Sequence, residues 1–334
     1  MRLSFIHIGL FVLLGWCLQH PPMAHADTSC EQTTYHKSSS DCADNSDEPY
    51  LTKTFELDEP GKIHVSVPVG NIEVIGSEQS NIVKVELYVK RGYRLWSSST
   101  SIDNYYIHIN KEGSEISAII EPRQHSGQPI GSDDIRFSFV IYVPKQMSTQ
   151  LYSRSGNISL TNLTGTQFSK SGVGNIKLNN TDGSTKAFTA AGNIVVNGSD
   201  GDIKCMTKGG NMEIHNSTGD FRVQSNAGNI NAENISGSLL AKTNVGNISA
   251  SFSSIEKGVK LETNIGNVTT SVEQGTGLDL VLEGSKVSIE QAGQFSGNKS
   301  QRSATGTING GGTVLNMMTD MGNVVLNVHT SSGN

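Results

Sequence analysis

The chain is short of aromatic rings, charge and cysteine: 6% of its 334 residues are aromatic, 17% are charged and 4 are cysteine. It has one long apolar stretch, Phe5 to Leu18, and between residues 51 and 150 no apolar residues recur at helical spacing. These shortages exclude a bundle of membrane helices and argue against an ordinary α/β enzyme. A net charge of −6 gives no reason to expect a nucleic-acid partner. What the chain has in excess is glycine, 36 residues of it.

The first 26 residues read as a secretory signal peptide. Arg2 precedes the apolar stretch, and Ala24-His25-Ala26 supplies a small-x-small cleavage site, so the mature chain is expected to begin at Asp27. A transmembrane anchor is the alternative, but the stretch is short for a bilayer. A lipoprotein reading through Cys17 is disfavoured by the bulky Trp16 beside it. Residues 27–50 are Ser- and Asp-rich and read as a disordered leader. Within it Cys30 and Cys42 stand 12 positions apart and can close a small disulfide loop in an oxidising compartment; two free thiols are the alternative. The C-terminal SSGN follows no further apolar span, so no transmembrane span is expected in the mature chain and the protein is expected to be free in solution.

Residues 51–150 alternate with period 2. Ile63, Val65, Val67 and Val69 form one such run, Val83, Val85, Leu87 and Val89 a second, and Ile135, Phe137, Phe139, Ile141 and Val143 a third. Each marks a half-buried strand, which makes this a β-rich N-terminal region.

From residue 151 a triplet of Gly-Asn followed by Ile, Val or Met recurs. Its glycines are Gly156, Gly174, Gly192, Gly210, Gly228 and Gly246 at intervals of 18, then Gly266 after 20, with outliers at Gly70 and Gly322. Aligning the copies puts Ile158, Ile176, Ile194, Met212, Ile230 and Ile248 in one inward column and Gly165, Gly183, Gly201, Gly219 and Gly237 at a second turn. One unit cannot bury its apolar side alone, but stacked units can, so residues 151–270 are read as regular 18-residue coils and 271–329 as C-terminal coils and a cap. The predicted fold is all-β: a single-stack parallel β-helix capped by the N-terminal region.

Two further columns fit stacking. Three residues before each Gly-Asn stand Ser153, Ser171, Thr189, Thr207, Ser225, Thr243, Thr263 and Thr319, whose hydroxyls are expected to pass hydrogen bonds to one another along the axis. The Asn residues of the triplet are expected to form a ladder at the turn, where Gly permits the bend.

The runs GKIHVSVPVGNIEVIGSE and FSFVIYVPKQMSTQLYSRSGNISL, the Gly-Asn-Ile coils and the closing GGGTVLNMMTDMGNVVLNV resemble the bacterial adhesin-like domain of unknown function, a β-helix family related to the head-GIN-domain proteins, over about residues 52–328. The resemblance implies a secreted or surface-attached right-handed parallel β-helix and carries over no catalytic residues.

Chemistry has to be sought on the outer columns. Asp182 and Asp200 share one column and Asp202 and Asp220 another, so four carboxylates are expected to cluster on three coils. They can form a calcium site or a glycosidase pair, or a solvated charge lattice neutralised by Lys186, Lys204 and Arg222, with Lys260 further along; the lattice is the preferred reading, with no cofactor. The scattered histidines form no triad or metal motif, and Cys205 alternates inward as a core residue. Phe168, Phe188 and Met206 point outward beside the cations, unless the N-terminal region covers them.

These readings converge on a non-enzymatic, exported binding or scaffold protein, periplasmic, surface-located or secreted. It is expected to recognise an envelope polysaccharide or a surface protein through the face of Phe188, Met206, Lys186, Lys204 and Arg222. The alternatives are a cell-envelope structural or stress-associated protein without a soluble ligand, and a polysaccharide-active β-helix enzyme.

Overall fold

The computed structural model describes residues 32–35, 48–78, 81–91, 101–123, 135–290 and 295–329, with only the backbone of 32–35. The segment read as a signal peptide, Cys30 and Cys42 lie outside the described residues. Inside the segment read as a leader, Gln32–Tyr35 pairs antiparallel with Leu51–Glu56.

The described residues are almost entirely strand, interrupted by a single 3₁₀ turn at Ile102–Asn104. No helix among them is long and apolar enough to cross a membrane. The repeat region has the parallel pairing of a β-solenoid. Ile158–Val173 lies beside Ile176–Ala191 with Ile158 opposite Ile176 and Ser171 opposite Thr189. The same offset of 18 carries Ile176 to Ile194, Ile194 to Met212, and Met212 to Ile230. Alternation decides which side chains turn inward: Ile176, Ile194, Leu178 and Ala187 are wholly buried, and the core is one continuous apolar cluster.

The corner of each coil explains the triplet. At Gly174, Gly192 and Gly210 φ is +149°, a conformation that side chains rarely adopt, and a Cβ on Gly192 would lie 2.1 Å from the carbonyl oxygen of Gly174. Only glycine fits. Each following Asn then carries a rung: the Asn175 N–H donates to Asn157 Oδ1 at 2.8 Å, and the pattern continues through Asn193, Asn211, Asn229, Asn247 and Asn267. The hydroxyl column behaves differently from expectation. Its members do not bond to one another; each donates to the glycine carbonyl one layer back, as Thr189 does to Gly174 at 2.8 Å and Ser225 to Gly210 at 3.2 Å. The bend turns that carbonyl toward the column, and it is a stronger acceptor than a neighbouring hydroxyl already in use.

The outlying triplets belong to the same corner. Gly61–Val69 pairs in parallel with Met147–Ser155, and Ile72–Ser77 with Ile158–Val173. The N-terminal region therefore extends the solenoid by whole layers instead of only capping it. Glu115–Pro122 and Ile135–Pro144 form the next layer outward, pairing with the two halves of that coil. Antiparallel strands finish this end: Tyr105–Glu112 on one side, Ile82–Arg91 and Leu51–Glu56 on the other.

The opposite end uses the same device. The chain passes from Ile248–Ile265 and Val268–Glu273 to Leu278–Glu283 and Lys286–Glu290, and then returns. Its last strands, Thr313–Met321 and Asn323–His329, lie between those two layers and pair in parallel with both. Gly322 stacks on Gly266, and the Asn323 N–H donates to Asn267 Oδ1. At each end, then, a coil is slotted between layers that precede or follow one another in sequence.

Candidate functional site

The broad outer face is formed by the second half of each coil, and two outward columns dominate it. The first runs Gln150, Phe168, Lys186, Lys204, Arg222, Leu240, Lys260. The second, two residues on, runs Tyr152, Lys170, Phe188, Met206, Gln224, Lys242, Glu262. Lys186, Lys204 and Arg222 thus occupy successive coils, and Phe188 and Met206 adjoin them as expected. Phe168 stands in the cation column itself, one coil before Lys186. Phe168, Phe188 and Met206 are all half-buried, and Phe168 packs against Tyr152 of the preceding strand, Met147–Ser155.

The four aspartates do not act as one group. Asp182 and Asp200 are partners in one column, Asp202 and Asp220 in the next. Arg222 Nη1 lies 3.2 Å from Asp202 Oδ1, the neutralisation read from sequence. Asp220 is held by a residue the sequence did not point to: Lys257 Nζ reaches its Oδ2 at 2.6 Å, while the Ser238 hydroxyl donates to Oδ1 at 2.7 Å. Lys257 sits in the coil with two extra residues, where the register against the preceding coil shifts, and the resulting bulge lifts it across two coils. The Lys257 ammonium, helped by the Ser238 hydroxyl, keeps the Asp220 carboxyl below the usual carboxylate range.

At this end of the face the charges are compensated. Lys260 Nζ lies 2.6 Å from Glu262 and Lys242 Nζ 3.5 Å, and mainly the hydrogen bond from Lys260 depresses the Glu262 carboxyl. A concavity of about 390 Å³ opens among Arg222, Leu240, Lys257, Lys260 and Val314. Toward the other end compensation stops: among the described residues Lys170, Lys186 and Lys204 make no ion pair.

Asp182 and Asp200 rim a separate concavity of about 520 Å³ with Glu78, Lys145 and Asn180. Lys145 Nζ bonds Glu78 there at 2.7 Å and lowers its carboxyl further from protonation. The hollow exists because Gly198, at φ +59°, interrupts a column of left-handed asparagines, Asn162, Asn180, Asn216 and Asn234, with φ of 49–56°. Side-chain amides link this second ladder on either side of the gap, Asn180 to Asn162 at 3.0 Å and Asn234 to Asn216 at 2.8 Å. Its 18-residue spacing was available in the sequence; the interrupting glycine hid it. Among the described residues no three His, Cys, Asp or Glu side chains are gathered to hold a metal ion. Cys205 is buried, and burial pushes its thiol up to about 12, far from a nucleophile's range.

The chain is similar to solved structures of low identity. One, provisionally described as an adhesin from Bacteroides fragilis, is 13% identical over 83% of this chain and 95% of its own, with a TM-score of 0.40. A second protein given the same provisional description, from Parabacteroides distasonis, is 12% identical over 83% and 95%, with a TM-score of 0.36. A third, also from Parabacteroides distasonis and provisionally called a lipid binding protein, is 11% identical over 86% and 98%, with a TM-score of 0.29. No curated protein matches the chain. The family model of the Toastrack domain, DUF4097, matches residues 98–327, more than half of the molecule, and the chain belongs to that family.

Proposed function

We propose that this is an exported, non-enzymatic protein of adhesin-like type, a right-handed single-stack β-helix with coils of 18 residues that binds an extended envelope polysaccharide or surface protein through its broad outer face. The observation that carries the reading is the succession of Lys186, Lys204 and Arg222 on neighbouring coils beside Phe188 and Met206. Coils repeat about every 4.8 Å, so the face offers similar chemistry at a regular interval. A partner that is itself extended and repetitive gains many weak contacts from such a surface.

Turnover finds little support in the same residues. Asp202 and Asp220 are engaged by cations, and Cys205 is buried with a raised pKa. The core is filled with Ile, Leu, Val, Ala, Phe, Met and Thr side chains, so recognition belongs on the surface. The N-terminal signal is the support for export.

The test is retention of the purified protein on isolated cell envelope. Replacing Phe188 and Met206 with Ser and Lys186, Lys204 and Arg222 with Glu is expected to abolish retention at an unchanged circular dichroism spectrum and melting temperature. Retention equal to wild type would move the site elsewhere, and release of reducing sugar by the wild type would overturn the non-enzymatic reading.

A further inference from the structure

Outward rings on successive layers of the broad face form a continuous row. His64 meets Tyr152 edge-on with centroids 5.6 Å apart, Tyr152 meets Phe168 at 5.4 Å, and Phe168 meets Phe188 at 5.7 Å. The residues come from Gly61–Val69, Met147–Ser155, Ile158–Val173 and Ile176–Ala191, which are adjacent layers. The row zigzags between the two outward columns and so runs along the solenoid axis, with Met206 extending it by one coil. Every ring is half-buried. Gln150 Nε2 donates to the Tyr152 hydroxyl at 2.7 Å and fixes that ring's outer edge.

Cations border the row. Lys170 separates Tyr152 from Phe188 in one column, and Lys186 and Lys204 continue from Phe168 in the other. Of the lysines in these two columns, these three make no ion pair, on a chain whose net charge is −6. Positive charge is thus left uncompensated beside the rings and nowhere else along these columns as far as Glu262.

We propose that this row is a binding track for an acidic glycan, whose sugar rings lie on Tyr152, Phe168 and Phe188 while its carboxylates meet Lys170, Lys186 and Lys204. The inference rests on the function proposed above and names the class of partner. A pyranose presents a face of C–H groups that packs on a broad aromatic surface, and such surfaces are what the row supplies. The carboxylates gain charge-assisted hydrogen bonds from ammonium groups that are otherwise solvated. One sugar unit is close in length to one coil, about 4.8 Å, so a uronic acid polymer stays in step with the lysines over several coils. Single-stranded nucleic acid fits less well, because each ring is already packed by the next and leaves no open face between rings for a base. An added protein strand would need an unpaired sheet edge, whereas these strands are paired on both sides.

The experiment is titration of the purified protein with oligogalacturonates of increasing length, with neutral dextran oligomers and oligo(dT) as the comparison probes. Oligogalacturonate affinity is expected to rise with length and fall with salt, with little binding to dextran or oligo(dT). Tyr152→Ser combined with Phe168→Ser is expected to weaken binding about tenfold or more without removing its salt dependence, whereas Lys170→Gln with Lys186→Gln should flatten the salt dependence. Each variant is checked by its melting temperature; if the double Ser variant fails to fold, Phe168→Leu replaces it, keeping the volume and losing the ring. Equal binding by the ring variants, equal binding of dextran, tighter binding of oligo(dT), or no binding of any probe each overturns the proposal. Absence of oligogalacturonate binding with envelope retention intact would sink the acidic-glycan assignment alone, while loss of both would sink the broader reading as well.

Discussion

Asn71 and Asn157 are 86 positions apart in the chain, and the Asn157 N–H donates to Asn71 Oδ1 at 2.9 Å. The same bond recurs between Asn267 and Asn323 across 56 positions. The regular coils and the two distant triplets therefore share one ladder.

The corner's two residues differ in what their loss costs. Asn193→Ala removes one solvent-facing rung, to Asn211, and is expected to lower unfolding free energy by about 0.5–1 kcal/mol. Gly192→Ala adds a Cβ 2.1 Å from the Gly174 oxygen at φ +149° and is expected to cost on the order of 3 kcal/mol or more. Urea denaturation of both variants checks the order; equal losses would refute it.

A buried hydroxyl is left over in the core. The Thr149 hydroxyl donates to Gln167 Oε1 at 2.7 Å and Gln167 Nε2 donates to the Met147 carbonyl at 2.9 Å, but the Thr185 hydroxyl, next in the column, has no partner. Thr185→Val is expected to stabilise the protein by about 1 kcal/mol, and Thr149→Val to destabilise it by about 1–2 kcal/mol by stranding Gln167. A destabilised Thr185→Val variant would show that the hydroxyl is in use.

Cys205 should report unfolding. With its thiol held up to about 12, it is expected to resist iodoacetamide at pH 8 in the native state and to react once denaturant opens the coil, as read by mass mapping of its peptide. Native labelling at the rate of an exposed thiol would contradict its burial.

Acid should weaken the Asp220 clamp. Lys257 and Ser238 hold its folded pKa below the unfolded value of about 4, so its contribution is present above that value and is lost as pH falls through the folded one. Between about pH 5 and pH 2 the urea midpoint of Asp220→Asn is expected to fall less steeply than that of the wild type. Parallel curves would show that the pair adds nothing.

Calcium is expected to leave stability unchanged. Asp182 and Asp200 face one hollow while Asp202 and Asp220 are taken by cations. Asp200→Asn should be neutral or slightly stabilising through relief of like charge, and EDTA should not move the melting temperature; a drop on chelation would establish a bound ion.

The repeat was legible because identical residues fall on one another every 18 positions, so burial of Ile194 and exposure of Lys204 follow from parity once the stack is assumed. The acceptor of the hydroxyl column was not legible, since only the bend at glycine reveals which carbonyl turns toward Ser171 or Thr189. Nor was the place of Gly61–Val69 in the stack. Its partners lie beyond an insertion, and with that register hidden His64 could not be aligned with Tyr152 and Phe168. Lys257 escaped for a related reason, because its coil departs from the period.

The slotted coils at the two ends make assembly order matter. Residues 278–290 are synthesised before 313–329, yet the parallel neighbours they rest on are those later strands. Completing this end therefore requires the later strands to pair between layers that precede them in the chain, a long-range closure of the kind that slows folding. Once threaded, the C-terminal strand is gripped from both sides, and a protease or a pulling force applied there meets an interior layer of the stack rather than a loose edge.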